Sequence, residues 1–318
     1  MKALVTGVAG FIGSHLAREL LARGWQVTGI DCFTDYYPRA YKENHLAGLR
    51  AAAGLALHDE DMLAGRLAER LDGVDVVFHL AAQAGVRASW GGQFDVYTDQ
   101  NIRATQQLLE LLKERPRVRL VNASSSSVYG DTPVLPMRED APCWPVSPYG
   151  VTKLAAEHLC RLYQRSYGVP AVSLRFFTVY GPGQRPDMGF HRFLAALRDD
   201  VPVPLFGDGS QTRDFTYVSD IVAGIIAAAE RGTPGAVYNL GGGSRVSLNG
   251  ALALAEQVSG RTLRRAAQGV ARGDMRDTWA ELTLAQRDLG YQPAVMLAEG
   301  LAAEWAWLNL PDTPREER

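Results

Sequence analysis

Tyr149 and Lys153 open a stretch, Thr152 to Tyr167, whose apolar residues recur at helical spacing. On a helix, positions i and i+4 share one face, roughly 6 Å apart along the axis. A phenol ordinarily titrates near ~10, and a neighbouring ammonium stabilises the phenolate and brings it toward working pH. The pair is therefore a candidate general base, Tyr149, supported by a cation, Lys153. Tyr-x-x-x-Lys alone is equally the face of an ordinary surface helix. Upstream, however, Ser124-Ser125-Ser126-Ser127 follows the apolar run Val118 to Ala123. Strand ends are where open parallel sheets place ligands, so these hydroxyls are candidates for the same site rather than solvated filler.

A second constellation lies at the N-terminus. Gly7-Val8-Ala9-Gly10-Phe11-Ile12-Gly13 joins an apolar run, Ala3 to Thr6, to a helical pattern from Phe11 to Arg23. Such glycines allow a tight turn and let a pyrophosphate approach the backbone, where the helix N-terminus offers N–H groups and positive dipole. Asp31 ends the next apolar run, Gln26 to Ile30, and is followed by Cys32 and Phe33 rather than arginine. A carboxylate there accepts from a ribose 2′-hydroxyl and repels a 2′-phosphate, which favours NAD over NADP; the alternative is a solvated turn aspartate. Asp61 and Met62 are candidates for the adenine end.

These groups need a scaffold. Further strand-like runs lie at Val74 to Leu80, Val118 to Ala123, Ala171 to Phe176 and Ala236 to Leu240, with helical patterns at Gln100 to Glu114 and Thr152 to Tyr167. The alternation predicts an α/β fold, a doubly wound parallel sheet of Rossmann type, with a smaller, partly interleaved C-terminal substrate lobe. The expected division is a cofactor domain over residues 1–176, with a later contribution from about 215–240. A substrate lobe over 177–310 and a frayed polar tail over 311–318 complete it. Gly181-Pro182-Gly183-Gln184-Arg185-Pro186 cannot be a regular helix or strand.

A formal charge of -2 offers no broad attraction to nucleic acid or an anionic membrane. No apolar stretch reaches the roughly 18 residues that span a bilayer, and no signal peptide is evident. Cys32, Cys143 and Cys160 match no metal or redox spacing and read as reduced thiols of a cytoplasmic protein; no metal site is expected.

Taken together, Gly7-x-x-Gly10-x-x-Gly13, His79-Leu80-Ala81-Ala82, Ser124 to Gly130, Tyr149-x-x-x-Lys153 and Gly207-Asp208-Gly209 with Arg213-Asp214-Phe215 resemble the extended short-chain dehydrogenase/reductase family. Gly273-Asp274 and Leu289-Gly290-Tyr291 fit as well, and within the family the chain is most similar to nucleotide-sugar 4-epimerases. The resemblance implies Tyr149 as base, Ser125 as the hydroxyl that relays the proton, and Lys153 as the group that orients NAD. Ala81 and Ala82 would line the cofactor, Arg213 would clamp the substrate diphosphate, and Asp274 and Ser126 would complete the substrate site. For Arg213 the alternative is a structural ion pair with Asp214 or Asp220. Asn101 fits a family helix position, although Ala104 stands where glycine is usual.

Family dehydratases carry an Asp-Glu pair directly after the catalytic hydroxyl, and similar decarboxylases keep a Glu two residues before the motif tyrosine. Here those places hold Ser126 and Ser127. That implies 4-epimerisation of a UDP-sugar: transient oxidation at C4, rotation of the 4-keto sugar, and reduction on the other face. Thr178 and Gln184-Arg185-Pro186-Asp187-Met188 look more like UDP-glucuronate 4-epimerases than UDP-glucose 4-epimerases. Thr178 and Arg185 would then meet the C6 carboxylate, unless Arg185 is only a solvated loop residue; Gly183 replaces a larger residue of several relatives. Other readings are a UDP-glucose 4-epimerase, a 4-ketoreductase or dehydrogenase that releases its cofactor, and a catalytically silent dinucleotide sensor. The resemblance also implies a homodimer through the helices at Gln100 to Glu114 and Thr152 to Tyr167.

Overall fold

A computed structural model describes residues 1–243, 245–269 and 273–315. Its strands, in chain order, are β1 (Lys2–Thr6), β2 (Gln26–Asp31), β3 (Leu55–Asp59), β4 (Val76–His79), β5 (Arg119–Ser125), β6 (Ala171–Phe176), β7 (Thr178–Tyr180), β8 (Val203–Phe206), β9 (Thr212–Tyr217), β10 (Val237–Leu240), β11 (Arg245–Ser247) and β12 (Arg265–Gln268). Among the described residues, seven strands form one sheet in the order β10-β6-β5-β4-β1-β2-β3, every pair parallel. Ala3, Leu4 and Val5 are completely buried, as a central strand covered on both faces requires. Strand β3 was not foreseen: Leu-Ala-Leu-His-Asp is short, sits at the sheet edge and is only partly buried, so it carries little apolar signal.

Strand order reverses at β1, whose neighbours are β2 and β4. The connections leave this point in opposite directions and open a crevice at the carboxyl ends of the strands. Helix α1 (Phe11–Ala22) follows β1 directly, and α2 (Arg39–Ala47) lies between β2 and β3. The helical segment expected from Gln100 begins earlier, at Phe94, and passes through a π-helical turn, Thr98–Arg103, before continuing over Ala104–Leu112.

Beyond β6 the chain builds a smaller lobe from two small sheets, β11-β9-β7 and β12-β8, and from helices Gly189–Asp199, Leu248–Ser259 and Leu297–Leu308. Their apolar faces meet in a core of their own around Phe190, Leu194, Leu252 and Leu301. The tail departs from the frayed segment foreseen: Thr313 is buried, its hydroxyl donates to the Trp307 carbonyl at 2.7 Å, and Asn44 donates to the Asp312 carbonyl. Side chains from elsewhere capture a backbone whose own sequence is polar. Residues 316–318 lie outside the described residues.

One buried polar network fixes the serine-bearing strand. Arg175 of β6 donates to Glu157 of the Pro148–Tyr167 helix from Nη2 at 2.6 Å and Nε at 3.1 Å. Ser124 donates to the same carboxylate at 3.0 Å. Strand, neighbouring strand and helix are thus locked in one register. Charged groups this deep are stable only as partners, so Glu157→Ala, which strands the Arg175 guanidinium, should lower unfolding free energy by about 3–5 kcal/mol. Chemical denaturation of the variant against wild type measures it.

Candidate active site

The crevice opens into one continuous cavity of about 980 Å³ that runs from the glycine turn to the smaller lobe. At its first end, Gly7 has φ +73°, and a Cβ there would lie 2.8 Å from the Ala81 nitrogen. A Cβ on Gly13 would lie 2.1 Å from the Gly7 carbonyl oxygen, so the helix can start this close to the strand only with glycine. No side chain caps the N-terminus of α1 and no acid lies in its first turn. Gly7, Gly10, Phe11, Ile12 and Gly13 all line the cavity, and the exposed first turn suits a pyrophosphate.

Asp31, at the end of β2, also faces the cavity. Its carboxylate accepts from the amides of Ala9 at 3.1 Å and Phe33 at 2.8 Å, and from the Lys42 ammonium at 3.1 Å. A carboxylate has about four acceptor directions, so a ribose hydroxyl still finds a place. Lys42, a buried lysine of α2, escaped the sequence reading; no spacing rule ties it to Asp31. Ala81 and Ala82 form the wall opposite α1 and Met62 lines the same region, but Asp61 does not. The Asp61 carboxylate instead accepts from the Leu63 amide at 2.8 Å, capping a short turn. Adjacent Glu60 lines the cavity in its place. Uncapped helix start, cramped glycine turn and partly committed carboxylate together fit a dinucleotide.

Strand β5 ends at Ser125, and Ser147 caps the helix bearing Tyr149 and Lys153 by accepting from the Gly150 amide at 3.1 Å. Ser125, Ser126, Ser127, Tyr149 and Lys153 line the middle of the cavity. Burial pushes the Tyr149 phenol above its ordinary pKa, and the neighbouring Ser125 hydroxyl and Arg185 guanidinium only partly offset it. The Arg185 guanidinium is a charge near the phenol that helix spacing does not announce. Lys153 is itself buried, which drops its ammonium from the ordinary 10.5 to about 8.

Asn101, in the π-helical turn, braces this part. It accepts from the Gln83 amide at 2.8 Å and donates to the Thr152 hydroxyl at 2.9 Å, and Thr152 donates to the Tyr149 carbonyl. The loop after β4 and the Tyr149 helix are thereby tied together.

At the far end, Thr178, Arg185, Arg213 and Asp274 all reach the cavity. Arg185 is no solvated loop residue: it pairs with Asp187 through two contacts of 2.9 Å, and Tyr36 donates to the same aspartate. Asp274 is held by Arg87 at 2.7 Å, and Arg87 stacks over Phe206. Arg213 differs from both. It donates to the carbonyls of Thr212 and Arg276 at 2.9 Å and, among the described residues, forms no ion pair. Its supposed partners are engaged elsewhere, Asp214 with Gly242 and Ala280, Asp220 with Val295. A guanidinium at a cavity wall without a counterion is suited to phosphate oxygens. Sequence reading missed Arg87 and Tyr36, which carry no local signature, and quoted Asp187 within Gln184 to Met188 without giving it a role.

Fold and site together define a dinucleotide-dependent enzyme. The model of the NAD dependent epimerase/dehydratase family matches residues 3–241, and the chain belongs to that family. It is 46% identical to an uncharacterized UDP-glucose epimerase of Bacillus subtilis (strain 168), covering 97% of this chain and 98% of that one. It is 38% identical to a UDP-glucuronate 4-epimerase of Thermodesulfobacterium geofontis, over 96% of this chain and 95% of the relative. A crystal structure of UDP-glucuronic acid 4-epimerase from Bacillus cereus, in complex with UDP-glucuronic acid and NAD, superposes with a TM-score of 0.94. It is 43% identical, over 97% of this chain and 99% of that one.

The buried lysine makes a measurable trade. Below about pH 8 the folded, cofactor-free protein carries the full cost of burying the Lys153 ammonium; between about 8 and 10.5 the unfolded chain holds that proton while the folded one has lost it, so wild-type stability rises with pH. Lys153→Met should therefore stabilise the cofactor-free protein by about 3 kcal/mol at neutral pH. The gain should vanish above about pH 10.5. Denaturant titrations across that range check both sign and window.

Proposed function

We propose that the protein is an NAD-dependent UDP-sugar 4-epimerase that interconverts UDP-glucuronate and UDP-galacturonate. One observation carries the reading: Ser125, Tyr149 and Lys153 line a single cavity together with the glycine turn and with Arg213, which makes no ion pair among the described residues.

Gly7, Gly10, Phe11, Ile12, Gly13, Asp31, Met62, Ala81 and Ala82 would hold NAD, with Lys153 at the nicotinamide ribose. Bound NAD supplies the electron-pair acceptor that C4 of the sugar needs, and returns the pair afterwards. Tyr149 takes the C4 hydroxyl proton, passed through Ser125, and gives it back to the 4-keto oxygen after the sugar has turned. Arg213, with Arg87 close by, grips the diphosphate, so the nucleotide stays fixed while the sugar rotates about it. Ser126 and Ser127 bring no carboxylate near the sugar, so nothing here pulls a C5 proton or expels a C6 leaving group.

A C6 carboxylate needs donors to be buried. Ser125, Ser126, Ser127 and Thr178 offer hydroxyls, and Arg185 a guanidinium shared with Asp187. A second reading, UDP-glucose as substrate, draws on that same sharing, since the Asp187 carboxylate offsets the charge a uronate would use. Asp274 would meet a hydroxyl of the bound nucleotide sugar. We further assign residues 1–176, with 215–240, to cofactor binding and 177–310 to substrate binding.

A homodimer is part of the proposal. Phe94, Val96, Val151, Leu162 and Tyr167 are exposed along the Phe94–Leu112 and Pro148–Tyr167 helical faces, an apolar stripe that a second copy would cover. Cys32, Cys143 and Cys160 are free thiols, in keeping with a reducing cytoplasm. No helix among the described residues is long and apolar enough to cross a membrane.

Incubation with UDP-glucuronate and with UDP-glucose, followed by assignment of C4 stereochemistry by NMR, tests the substrate: UDP-galacturonate should form without accumulation of reduced nicotinamide. Tyr149→Phe should cut kcat about a thousandfold while NAD stays bound. Thr178→Val should raise KM for UDP-glucuronate about tenfold, as loss of one carboxylate hydrogen bond predicts, and leave UDP-glucose nearly unaffected. Equal effects on the two sugars would refute the uronate assignment.

A further inference from the structure

The turn that delivers Arg185 is gripped residue by residue. Glu304, buried in the Leu297–Leu308 helix, accepts from the Gly181 amide at 2.9 Å. Three imidazoles then meet three successive carbonyls: His15 of α1 at Pro182 (2.7 Å), His45 of α2 at Gly183 (2.9 Å), and His191 of the Gly189–Asp199 helix at Gln184 (2.9 Å). His45 differs from the other two. Its Nδ1 lies 2.9 Å from the Ala9 carbonyl, inside the glycine-rich turn that cradles the cofactor, while Nε2 reaches Gly183. One buried ring therefore spans the gap between the cofactor turn and the substrate turn. Gly183 permits the contact: its φ is +82°, and a Cβ there would lie 3.2 Å from His45 Nε2. Larger side chains would displace the ring.

Both partners of His45 are carbonyl oxygens, so a neutral imidazole with one N–H donates to one of them, and only the imidazolium donates to both. Burial lowers the ring's pKa, while the two carbonyls and the nearby Asp31 carboxylate raise it. Whichever form is present, the ring is wedged between two loops that carry different ligands. A loop fixed by its ligand fixes the ring, and a fixed ring removes freedom from the other loop. Such shared ordering makes the two binding events cooperative.

We propose that His45 is a positioning residue that couples NAD binding to UDP-sugar binding by bridging Ala9 and Gly183. The proposal rests on the reading of the site as one for NAD and a UDP-sugar. It predicts that saturating UDP-glucuronate slows NAD release from wild type about tenfold, within the usual range of coupling between sites. In His45→Phe, which keeps a ring but no donor, and in His45→Gln, that ratio should fall to about one. Gly183→Ala attacks the same contact from the other side and should do likewise, so a variant that fails to fold does not decide the matter. NAD release, followed by the fluorescence of an NAD analogue or by trapping of free NAD, is read without turnover. Retention of the wild-type ratio in any folded variant overturns the coupling, as does a wild type with no ratio to lose. A wild type that binds neither NAD nor UDP-glucuronate instead overturns the assigned function.

Discussion

Reversal of strand order at β1 is the constraint on which the molecule depends. A parallel sheet has its connections on its faces, and only where they part company does the carboxyl edge stay open. Into that opening project the glycine turn after β1, Asp31 after β2, Ala81 and Ala82 after β4, and Ser125 after β5. These four segments lie far apart in sequence, yet all belong to strand ends within one side of a single sheet. The lobe built after β6 closes the crevice with a core of its own, so the cavity is bounded by two hydrophobic units with polar turns between them.

Electrostatics divides the cavity into regions with different tasks. Near the cofactor turn, Asp31 is balanced by Lys42. Toward the smaller lobe, Arg185 is balanced by Asp187 and Arg87 by Asp274. Arg213, like Lys153 and Arg192, lines the cavity without an ion pair among the described residues, and of these it lies nearest Arg87 and Asp274 in the smaller lobe's end of the cavity. Pairs of this kind hold side chains in place at little net charge, whereas an unpaired guanidinium favours an anion that arrives with the ligand. Lys153 shows the complementary cost. Its place beside the tyrosine is maintained although burial works against its charge.

Much of the site was legible in the sequence because its chemistry depends on local geometry. The glycine turn is a backbone requirement at fixed spacing, and a tyrosine and lysine four apart on a helix share a face whatever surrounds them. The runs that form β1, β2, β4, β5, β6 and β10 were readable because a sheet covered on both faces must be apolar throughout. Edge strand β3 and the π-helical turn lacked that signal, the first because it is half-exposed, the second because a bulged helix keeps a helical pattern.

What escaped was contact between distant segments. Nothing in the order of residues announces that Lys42 meets Asp31, that Arg87 meets Asp274, or that His45 reaches both Ala9 and Gly183. The sequence by itself determined the backbone devices, the candidate catalytic residue types and the fold class, since these follow from periodicity and from spacing within one element. Tertiary structure alone decided which charges are neutralised, where the tyrosine's pKa is pushed, and which loops are tied together. Those depend on burial and on distances across the fold, quantities that arise only when separate elements pack.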